Sequence, residues 1–129
     1  GKLFVHLFCH HKYAYLYEVD NRRDWIAKYF FKGGIMPSEN LLLYFDNKFQ
    51  IENRWKIPGT HYQKTCHAWL ERMDKNKDEV LQIFRDVYGA KDAKRWMSYW
   101  RVFFMSCEEL FGYKNGEEWY VTHYLLKKK

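Results

Sequence analysis

Residues 25–45 constrain the fold of this chain most, because they combine an aromatic cluster, a sharp break and a new helix start. The cluster precedes Gly33 and Gly34, and Pro37 and Ser38 then open an apolar run. Glycine adopts backbone angles that other residues resist, whereas proline suits the first turn of a helix and serine caps it. The pattern predicts a short helix, a tight corner and a second helix from Pro37 to the end of the stretch. Such a corner either holds rings beside a cleft or is buried without a ligand, and the residues alone favour the buried corner.

Three other stretches indicate strands. Residues 3–9 are almost continuously apolar, which is typical of a strand buried on both faces. Because such a strand needs neighbours on each side, we predict that it is central and interpret residue 1 as a cut inside a larger domain. Residues 49–57 alternate, which predicts a strand with one wet face, antiparallel to the first. Residues 119–126 are rich in β-branched and aromatic side chains. The side chains predicted for the apolar face of the second strand are Phe49, Ile51, Trp55 and Ile57.

Polar residues indicate where two helices begin. Asp24 is a cap for the short helix that starts at the next residue. Thr60 and Gln63 have the spacing of a capping box, which predicts a helix over residues 61–88. The polar residues 74–78 could divide this helix in two.

Glycines and further polar residues mark the remaining boundaries. Gly89 suits the end of the long helix. Asp92 begins a helix that ends at Gly112, and its apolar residues surround it almost completely, which predicts burial. Turns are predicted at residues 46–47 and at residues 115–116.

Composition excludes several classes of protein. At 129 residues the chain is one domain at most. Its net charge of +6 comes from scattered residues apart from 127–129, so we predict no nucleic-acid binding. Three cysteines without a C-x-x-C motif predict reduced thiols and a cytoplasmic location. We find no signal-peptide pattern and no apolar run long enough to cross a bilayer.

Histidines follow the first predicted strand, where ligands gather in open α/β sheets. His6 interrupts the apolar run, and His6 and His10 would share one strand face. A metal site is therefore conceivable, but zinc needs three or four ligands and the spacing places no third. A hydrogen-bonded core His6 is favoured over a metal ligand.

Five segments of the chain carry a family resemblance. They are LFVHLFCH, YFFKGGIMPSENLLLYF, GTHYQKTCHAWLERMD, YWRVFFMSCEELFGY and NGEEWYVTHYLLKKK. In this order they resemble the cyclopropane-fatty-acid synthase-like methyltransferases, which use S-adenosylmethionine. The resemblance is greatest to the branch that contains the plant coclaurine N-methyltransferases. It covers nearly the whole chain and corresponds only to the C-terminal part of those enzymes.

The resemblance implies an α/β fold, the C-terminal half of a class I, Rossmann-like methyltransferase. Residues 1–129 would supply a mixed sheet with antiparallel terminal strands and an inserted helical cap that binds the acceptor. S-adenosylmethionine would be held mainly by the N-terminal half, and the seven glycines here form no G-x-G-x-x-G turn. The implied partners are that half and a small-molecule amine, such as a tetrahydroisoquinoline alkaloid, or a lipid olefin. A homodimer is left open.

The resemblance also implies site residues. His6 and Tyr62 match residues that hold a bicarbonate ion, which acts as a base, in the cyclopropane synthases. The acceptor pocket of the N-methyltransferases matches Phe30 or Phe31, Tyr99, Trp100 and Phe103.

Aromatic faces attract a cationic amine, which suits this pocket. Without the resemblance, Trp100 and Phe103 would be interpreted as core. Asn53 and Arg54 depart from the acidic residue and histidine of plant relatives, so the particular alkaloid is not predicted. A binding module without catalysis and a fragment without a separate role remain alternatives.

Overall fold

The computed structural model describes residues 1–22, 24–45 and 47–129, which form an α/β fold with a three-stranded sheet, a two-stranded sheet and four α-helices. Two 3₁₀ turns lie at Leu41–Tyr44 and Tyr113–Gly116. The strands and helices follow in chain order as β1 (Lys2–His10), β2 (Tyr15–Leu16), α1 (Trp25–Tyr29), β3 (Ile35–Met36), β4 (Phe49–Ile57), α2 (Gly59–Lys75), α3 (Lys77–Tyr88), α4 (Ala93–Gly112) and β5 (Trp119–Lys128).

β5 is the central strand of the larger sheet, and β1 and β4 both pair with it antiparallel. The prediction that residues 3–9 are central is therefore wrong. The prediction that residues 49–57 run antiparallel to residues 3–9 is also wrong. Because β1 and β4 are each antiparallel to β5, they run in the same direction as each other. Leu3 and Phe4 of β1 are 46% and 56% exposed, whereas Tyr124 of β5 is 0% exposed. A continuous apolar run describes the side chains of a strand but not which strand inserts between the others.

The register divides the sheet into two faces, because successive side chains of a strand point to opposite sides. Tyr120, Thr122 and Tyr124 of β5 lie on one side, which we call the hydroxyl face. Val121 and His123 lie on the other side, which we call the cavity face. Helices α2 and α4 pack against the cavity face, because Phe8, the partner of Val121 in β1, lines one space together with residues of both helices.

A bulge in β4 changes which of its side chains share a face. The register with β5 shifts between Ile51 and Asn53. Phe49 and Ile51 therefore lie on the hydroxyl face, while Trp55 and Ile57 lie on the cavity face. The prediction placed all four apolar residues on one face and is wrong, because simple alternation does not reveal a bulge.

Buried polar groups on the hydroxyl face are paired. The Thr122 hydroxyl lies 3.1 Å from the thiol of Cys9. Tyr120 donates its hydroxyl to a carboxylate oxygen of Glu39 at 2.6 Å, and Tyr124 donates to the backbone carbonyl of Glu39. In the part of the chain that the structure describes, no buried side-chain nitrogen or oxygen lacks a hydrogen-bond partner.

Residues 35–45 do not form the predicted second helix. After β3, the His10 amide donates to the Pro37 carbonyl, and the Glu39 amide donates to the His10 carbonyl, both at 2.9 Å. These bonds use backbone groups that a helix would need for itself, so only a single 3₁₀ turn follows. Ser38 is buried in a bridge with β1 and caps no helix.

The predicted corner and short helix are present. Gly33 has a φ of 75°, which a residue with a side chain rarely adopts. The short helix α1 begins directly after Asp24, as predicted. The Asp24 carboxylate does not cap it, because it accepts the backbone amides of Asp20 and Asn21, both at 2.9 Å.

The capping box predicted for α2 is wrong, because the helix begins at Gly59 and Thr60 lies in its first turn. A Cβ added to Gly59 would lie 2.2 Å from the carbonyl oxygen of Trp119 and 2.3 Å from that of Phe111. Close backbone packing therefore sets the start of the helix. The side chain of Gln63 lies against a glycine at the end of α4 instead of reaching back to the helix start.

The other helix boundaries agree with the sequence. The polar segment divides α2 from α3 at Asn76, and α3 ends at Tyr88, directly before the capping residue Gly89, whose φ is 85°. The next helix, α4, begins after Asp92 as predicted. It is not buried all round, because Val102 and Met105 are 43% and 41% exposed.

The three long helices share a core. Its buried members are Met73, Leu81 and Met97, one from each helix. Among the described residues, no helix combines the length and apolar character needed to cross a membrane. The turn predicted at residues 115–116 is confirmed by the positive φ of both, and the turn at residues 46–47 includes Asp46, which lies outside the described residues.

Candidate functional site

A segment that we call the strap, residues 15–22 and 24–34, crosses α4. It is anchored by the pairing of β2 with β3 and by the Tyr17 amide, which donates to the Gly34 carbonyl at 2.9 Å. The Phe30 ring stacks on Phe103 of α4 with a centroid distance of 4.3 Å and an interplanar angle of 13°. The strap therefore holds an aromatic surface against the longest helix.

A narrow cavity of about 60 Å³ lies beneath the strap, between the cavity face of the sheet and helices α2 and α4. Of the described residues that line it, none carries a charge. Such an apolar site strengthens the contacts of a ligand with aromatic faces, since little water competes for them. Its aromatic lining includes Phe8, Tyr17, Phe31, Tyr62, Phe103 and Phe111.

A wider groove of about 520 Å³ lies between the strap and α4, open to solvent. Glu18 and Asp24 are the acidic residues among its lining, and Trp25 and Val102 are apolar members of it. Its volume falls within the range of small-molecule sites, whereas the cavity is smaller than that range. Tyr17 lines both the groove and the cavity.

Four of the residues predicted for the acceptor pocket form one continuous surface, which we call the aromatic wall: Phe30, Phe31, Trp100 and Phe103. Phe31 and Phe103 line the cavity, with ring centroids 5.7 Å apart. Phe30 stands behind them and meets the Trp100 ring edge-on at 5.0 Å. The structure thus brings these side chains together, with two of them at the cavity surface.

Trp100 and Tyr99 lie farther from the cavity. Trp100 packs against the core shared by the three long helices and lies outside the cavity lining. Its indole nitrogen lies 3.5 Å from the hydroxyl of Tyr88. Tyr99 contacts Tyr29 of the strap at 4.7 Å, and their hydrogen bond lowers the pKa of Tyr29. Tyr99 therefore supports the wall from the side away from the sheet, and Trp100 is the member of the wall that packs into the helix core.

The two residues predicted to hold an anion lie in different surroundings. Tyr62 lines the cavity, contacts Phe111 at 4.5 Å and has its pKa raised by burial. His6 is exposed on the cavity face, and its Nδ1 lies 2.9 Å from Nε2 of His123. Burial, and then the nearby His6, lower the pKa of His123. His6 is two residues from Phe8 on β1, or about 7 Å along the strand, so it stands at the edge of the cavity.

Two thiols also line the cavity. Cys66 of α2 and Cys107 of α4 share a hydrogen bond, which lowers the pKa of Cys66 and raises that of Cys107. Cys9 lies on the hydroxyl face, where burial raises its pKa. All three cysteines are free thiols.

His10 and His11 form a cluster with Glu118 whose side-chain atoms could hold a metal ion. The Nδ1 of His10 accepts the amides of Lys12 and Tyr13, at 3.0 Å and 2.8 Å. Nε2 must then carry the proton and donate to Glu118 at 3.1 Å. A metal on Nε2 would force that proton onto Nδ1, against two amide donors. The cluster therefore serves to fold the turn after β1.

Several lining residues were not predicted from the sequence: Phe8, Tyr17, Cys66, Cys107 and Phe111. Cys66 belongs to the apolar stripe of α2, and Phe8 belongs to the apolar run of β1. Both are recognisable as buried, but neither pattern indicates a cavity. Tyr17 comes directly before the polar residues 18–24, and no sequence signal places it between two spaces.

This combination of fold and site has known counterparts. The family model of the mycolic acid cyclopropane synthetases matches residues 1–119, and the chain belongs to that family. Within it, the chain is similar to (S)-coclaurine N-methyltransferase of Papaver somniferum, with 43% identity over 132 residues that cover 100% of this chain and 38% of that protein. The chain thus spans less than half the length of this curated relative.

Two solved structures share the fold. One is a coclaurine N-methyltransferase bound to N-methylheliamine and SAH, with a TM-score of 0.87 and 40% identity over 99% of this chain and 38% of that one. The other is a cyclopropane synthase from Mycobacterium tuberculosis, with a TM-score of 0.65 and 19% identity over 100% of this chain and 44% of that one. The predicted α/β class, with antiparallel terminal strands, is therefore confirmed.

Proposed function

We propose that this chain forms the acceptor-binding part of an S-adenosylmethionine-dependent N-methyltransferase that acts on a small aromatic amine, such as a tetrahydroisoquinoline. The observation that carries the proposal is the uncharged aromatic cavity beneath the strap. Ring faces bind a flat amine and stabilise the positive charge that nitrogen gains on methylation. The cavity also keeps water from the reacting nitrogen.

The groove supports an amine acceptor as well. Glu18 and Asp24 lie where an ammonium ion would arrive before entering the cavity. The likeness to an N-methyltransferase at 43% identity also favours an amine over a lipid. A lipid olefin remains the second candidate, because the family includes the cyclopropane synthases and because His6 and Tyr62 match their anion site.

The methyl donor itself does not fit the residues of this chain. A donor loop needs glycine after a strand at the start of a helix, and Gly59 occupies that place between β4 and α2. The space beside Gly59 is filled by the backbone of Trp119, Phe111 and Gly116. We therefore propose that S-adenosylmethionine is held by an N-terminal half of the same enzyme.

Each site residue then has a proposed role. Phe31 and Phe103 would face the acceptor, with Phe30, Trp100 and Tyr99 holding them in place. Tyr62, kept neutral by its raised pKa, would donate a hydrogen bond within the cavity. His6 would act at the edge of the cavity, in contact with the N-terminal half.

The N-terminal half is also the partner that we propose for β1. Leu3 and Phe4 are half exposed, one on each face of the sheet. The three free thiols support a cytoplasmic location. A homodimer stays a prediction, which light scattering on the full-length protein would check.

A methyl-transfer assay with labelled donor tests the function. The full-length protein is offered a tetrahydroisoquinoline and, separately, an unsaturated phospholipid. We expect label in the amine. Label only in the phospholipid would favour the cyclopropane synthase reading, and no label in either would favour a binding module or an inactive fragment.

Calorimetry tests the division between the two halves. We expect no tight binding of S-adenosylmethionine to this chain alone, since the glycine loop is missing. A micromolar dissociation constant, about −8 kcal/mol, would contradict this assignment. The full-length protein is the positive control.

A further inference from the structure

We propose that the ring of Tyr17 is the gate between the open groove and the aromatic cavity, and that it selects acceptors by size. The inference rests on the proposed function and adds a specificity-determining residue to it. Tyr17 is the residue that the linings of the two spaces share. We expect removal of its ring to join the cavity of about 60 Å³ to the groove of about 520 Å³.

The strap holds this ring in a defined position. The Tyr17 ring stacks on Phe31 with a centroid distance of 4.9 Å and an interplanar angle of 20°. Its backbone amide is bonded to Gly34, and a Cβ added to Gly34 would lie 3.4 Å from Cδ2 of the ring. The ring thus lies between the backbone of the corner and the aromatic wall.

The need for a gate follows from the sizes of the two spaces. A cavity of about 60 Å³ is too small to enclose a drug-sized ligand, which occupies sites of roughly 300–1,000 Å³. The groove has the required size but lies open to water. In this proposal, an acceptor that binds in the groove reaches the wall of Phe31 and Phe103 when the Tyr17 ring moves aside.

The ring, not the hydroxyl, performs this role. Burial, and then the nearby Tyr15 and Cys107, raise the pKa of Tyr17, so its phenol stays neutral and forms no ion pair with an ammonium group. Tyr17→Phe should therefore retain the gate and Tyr17→Ala should remove it.

Cys66 reports on access to the cavity without any need for catalysis. It lines the cavity, and the hydrogen bond from Cys107 lowers its pKa, so it is the more reactive of the two thiols. Cys9 is 0% exposed on the opposite face of the sheet and serves as the control for general loosening.

The experiment measures alkylation of the full-length protein by N-phenylmaleimide, with each cysteine followed by peptide mass spectrometry. We expect Tyr17→Ala to speed labelling of Cys66 about tenfold. This factor corresponds to ~1.4 kcal/mol, the scale of the ring packing that the substitution removes. Labelling of Cys9 should not change, and Tyr17→Phe should behave as the wild type. Tyr44→Ala, at a tyrosine that is 78% exposed, is the matched control.

The same variants are then compared on two acceptors, tetrahydroisoquinoline and its 1-benzyl derivative. We expect Tyr17→Ala to raise the kcat/KM ratio of the bulky over the small acceptor about tenfold. Tyr17→Leu, which keeps apolar volume without a flat ring, should show the same change if the alanine variant does not fold.

Three results would overturn the gate: unchanged labelling of Cys66 in the ring-less variants, a parallel rise at Cys9, or an unchanged acceptor ratio. If the wild type methylates neither amine, the proposed function and acceptor selection fail together. The labelling rates would then still decide whether Tyr17 controls access to the cavity.

Discussion

The hydroxyl face of β5 and the aromatic wall are both rich in aromatic residues, but different forces hold them together. On the hydroxyl face, Tyr120 and Tyr124 each donate a hydrogen bond to Glu39. The wall has rings in contact with rings, such as Phe30 on Phe103, and a cavity beside them. Among the described residues, every buried side-chain nitrogen and oxygen of the hydroxyl face has a hydrogen-bond partner.

This difference separates stability from function. Hydrogen bonds are directional, so the hydroxyl face has one good arrangement and a large cost for leaving a partner unpaired. Ring contacts tolerate several offsets and tilts at similar energy, so the wall can adjust around a ligand. We expect substitutions on the hydroxyl face to lower stability alone, and substitutions at the cavity surface of the wall to affect the acceptor.

The largest effect should come from Trp100→Ala, which tests where the wall ends and the core begins. Trp100 packs against the core of the long helices and lies outside the cavity lining. We expect the variant to lose about 3–5 kcal/mol of unfolding free energy. Denaturant unfolding and acceptor kcat/KM below the melting temperature are the measurements. A small loss of unfolding free energy together with a reduced acceptor kcat/KM would place Trp100 at the pocket surface instead.

Tyr120→Phe tests the hydroxyl face. The substitution removes the donor to Glu39 and should lower the unfolding free energy by about 1.5–3 kcal/mol, as for a hydrogen bond to a charged group. Acceptor kcat/KM should not change. Tyr44→Phe, on an exposed ring, is the control and should leave both unchanged. Altered acceptor use in Tyr120→Phe would show that the two regions are coupled.

Phe103→Leu tests the wall at the cavity. Leucine keeps most of the apolar volume but removes the aromatic face. We expect the loss of about 0.5–2 kcal/mol of cation–π stabilisation, so kcat/KM for the amine should fall roughly 2- to 30-fold. The melting temperature should fall, but by less than in Trp100→Ala, because leucine keeps apolar contact with Phe30. Phe45→Leu, at a phenylalanine that is 64% exposed, supplies the control. Equal losses for a neutral and a cationic acceptor would argue against charge stabilisation by the ring.

The smallest effect should be a pH dependence from His123, which faces the cavity side. Its pKa is lowered from the ordinary 6.5, so the unfolded chain binds the proton more readily than the folded one. The stability that neutral His123 contributes is present above pH 6.5 and is lost as pH falls toward its folded pKa. The groups that face it are His6 and the ring of Phe4.

Melting temperatures between pH 5 and 8 measure this effect. The slope of the wild type should decrease in His123→Gln, whereas His61→Gln, at an exposed histidine of α2, should leave it unchanged. An identical slope in all three proteins would show that the histidine pair does not contribute.

Local patterns predicted much of the architecture, because the signals are local. The alternation of residues 49–57 gave β4 with its bounds as observed, and Gly89 and Asp92 marked real helix boundaries. The strand order could not be predicted in this way. Whether β1 or β5 is central depends on pairing between residues more than a hundred positions apart, which periodicity does not report.

The site shows the same limit. The residues that the resemblance indicates, such as Phe31 and Phe103, do meet at one surface. Phe30, by contrast, stands behind that surface. Only the stacking geometry distinguishes Phe30 from its neighbour in sequence, Phe31. The failed helix after Pro37 has a similar cause, since hydrogen bonds to His10 outweigh a local preference.

The central position of β5 has a consequence for the order of folding. Its two neighbours do not pair with each other in the sheet, and the edge of β1 that faces β5 has its partner at residues 119–128. Closing so long a loop has a high entropic cost, and folds rich in such contacts form slowly. Until β5 inserts, a growing chain presents two unpaired strand edges separated by the width of one strand. A β5 from another copy fits that gap equally well, so we expect slow folding at high concentration to produce strand-exchanged oligomers.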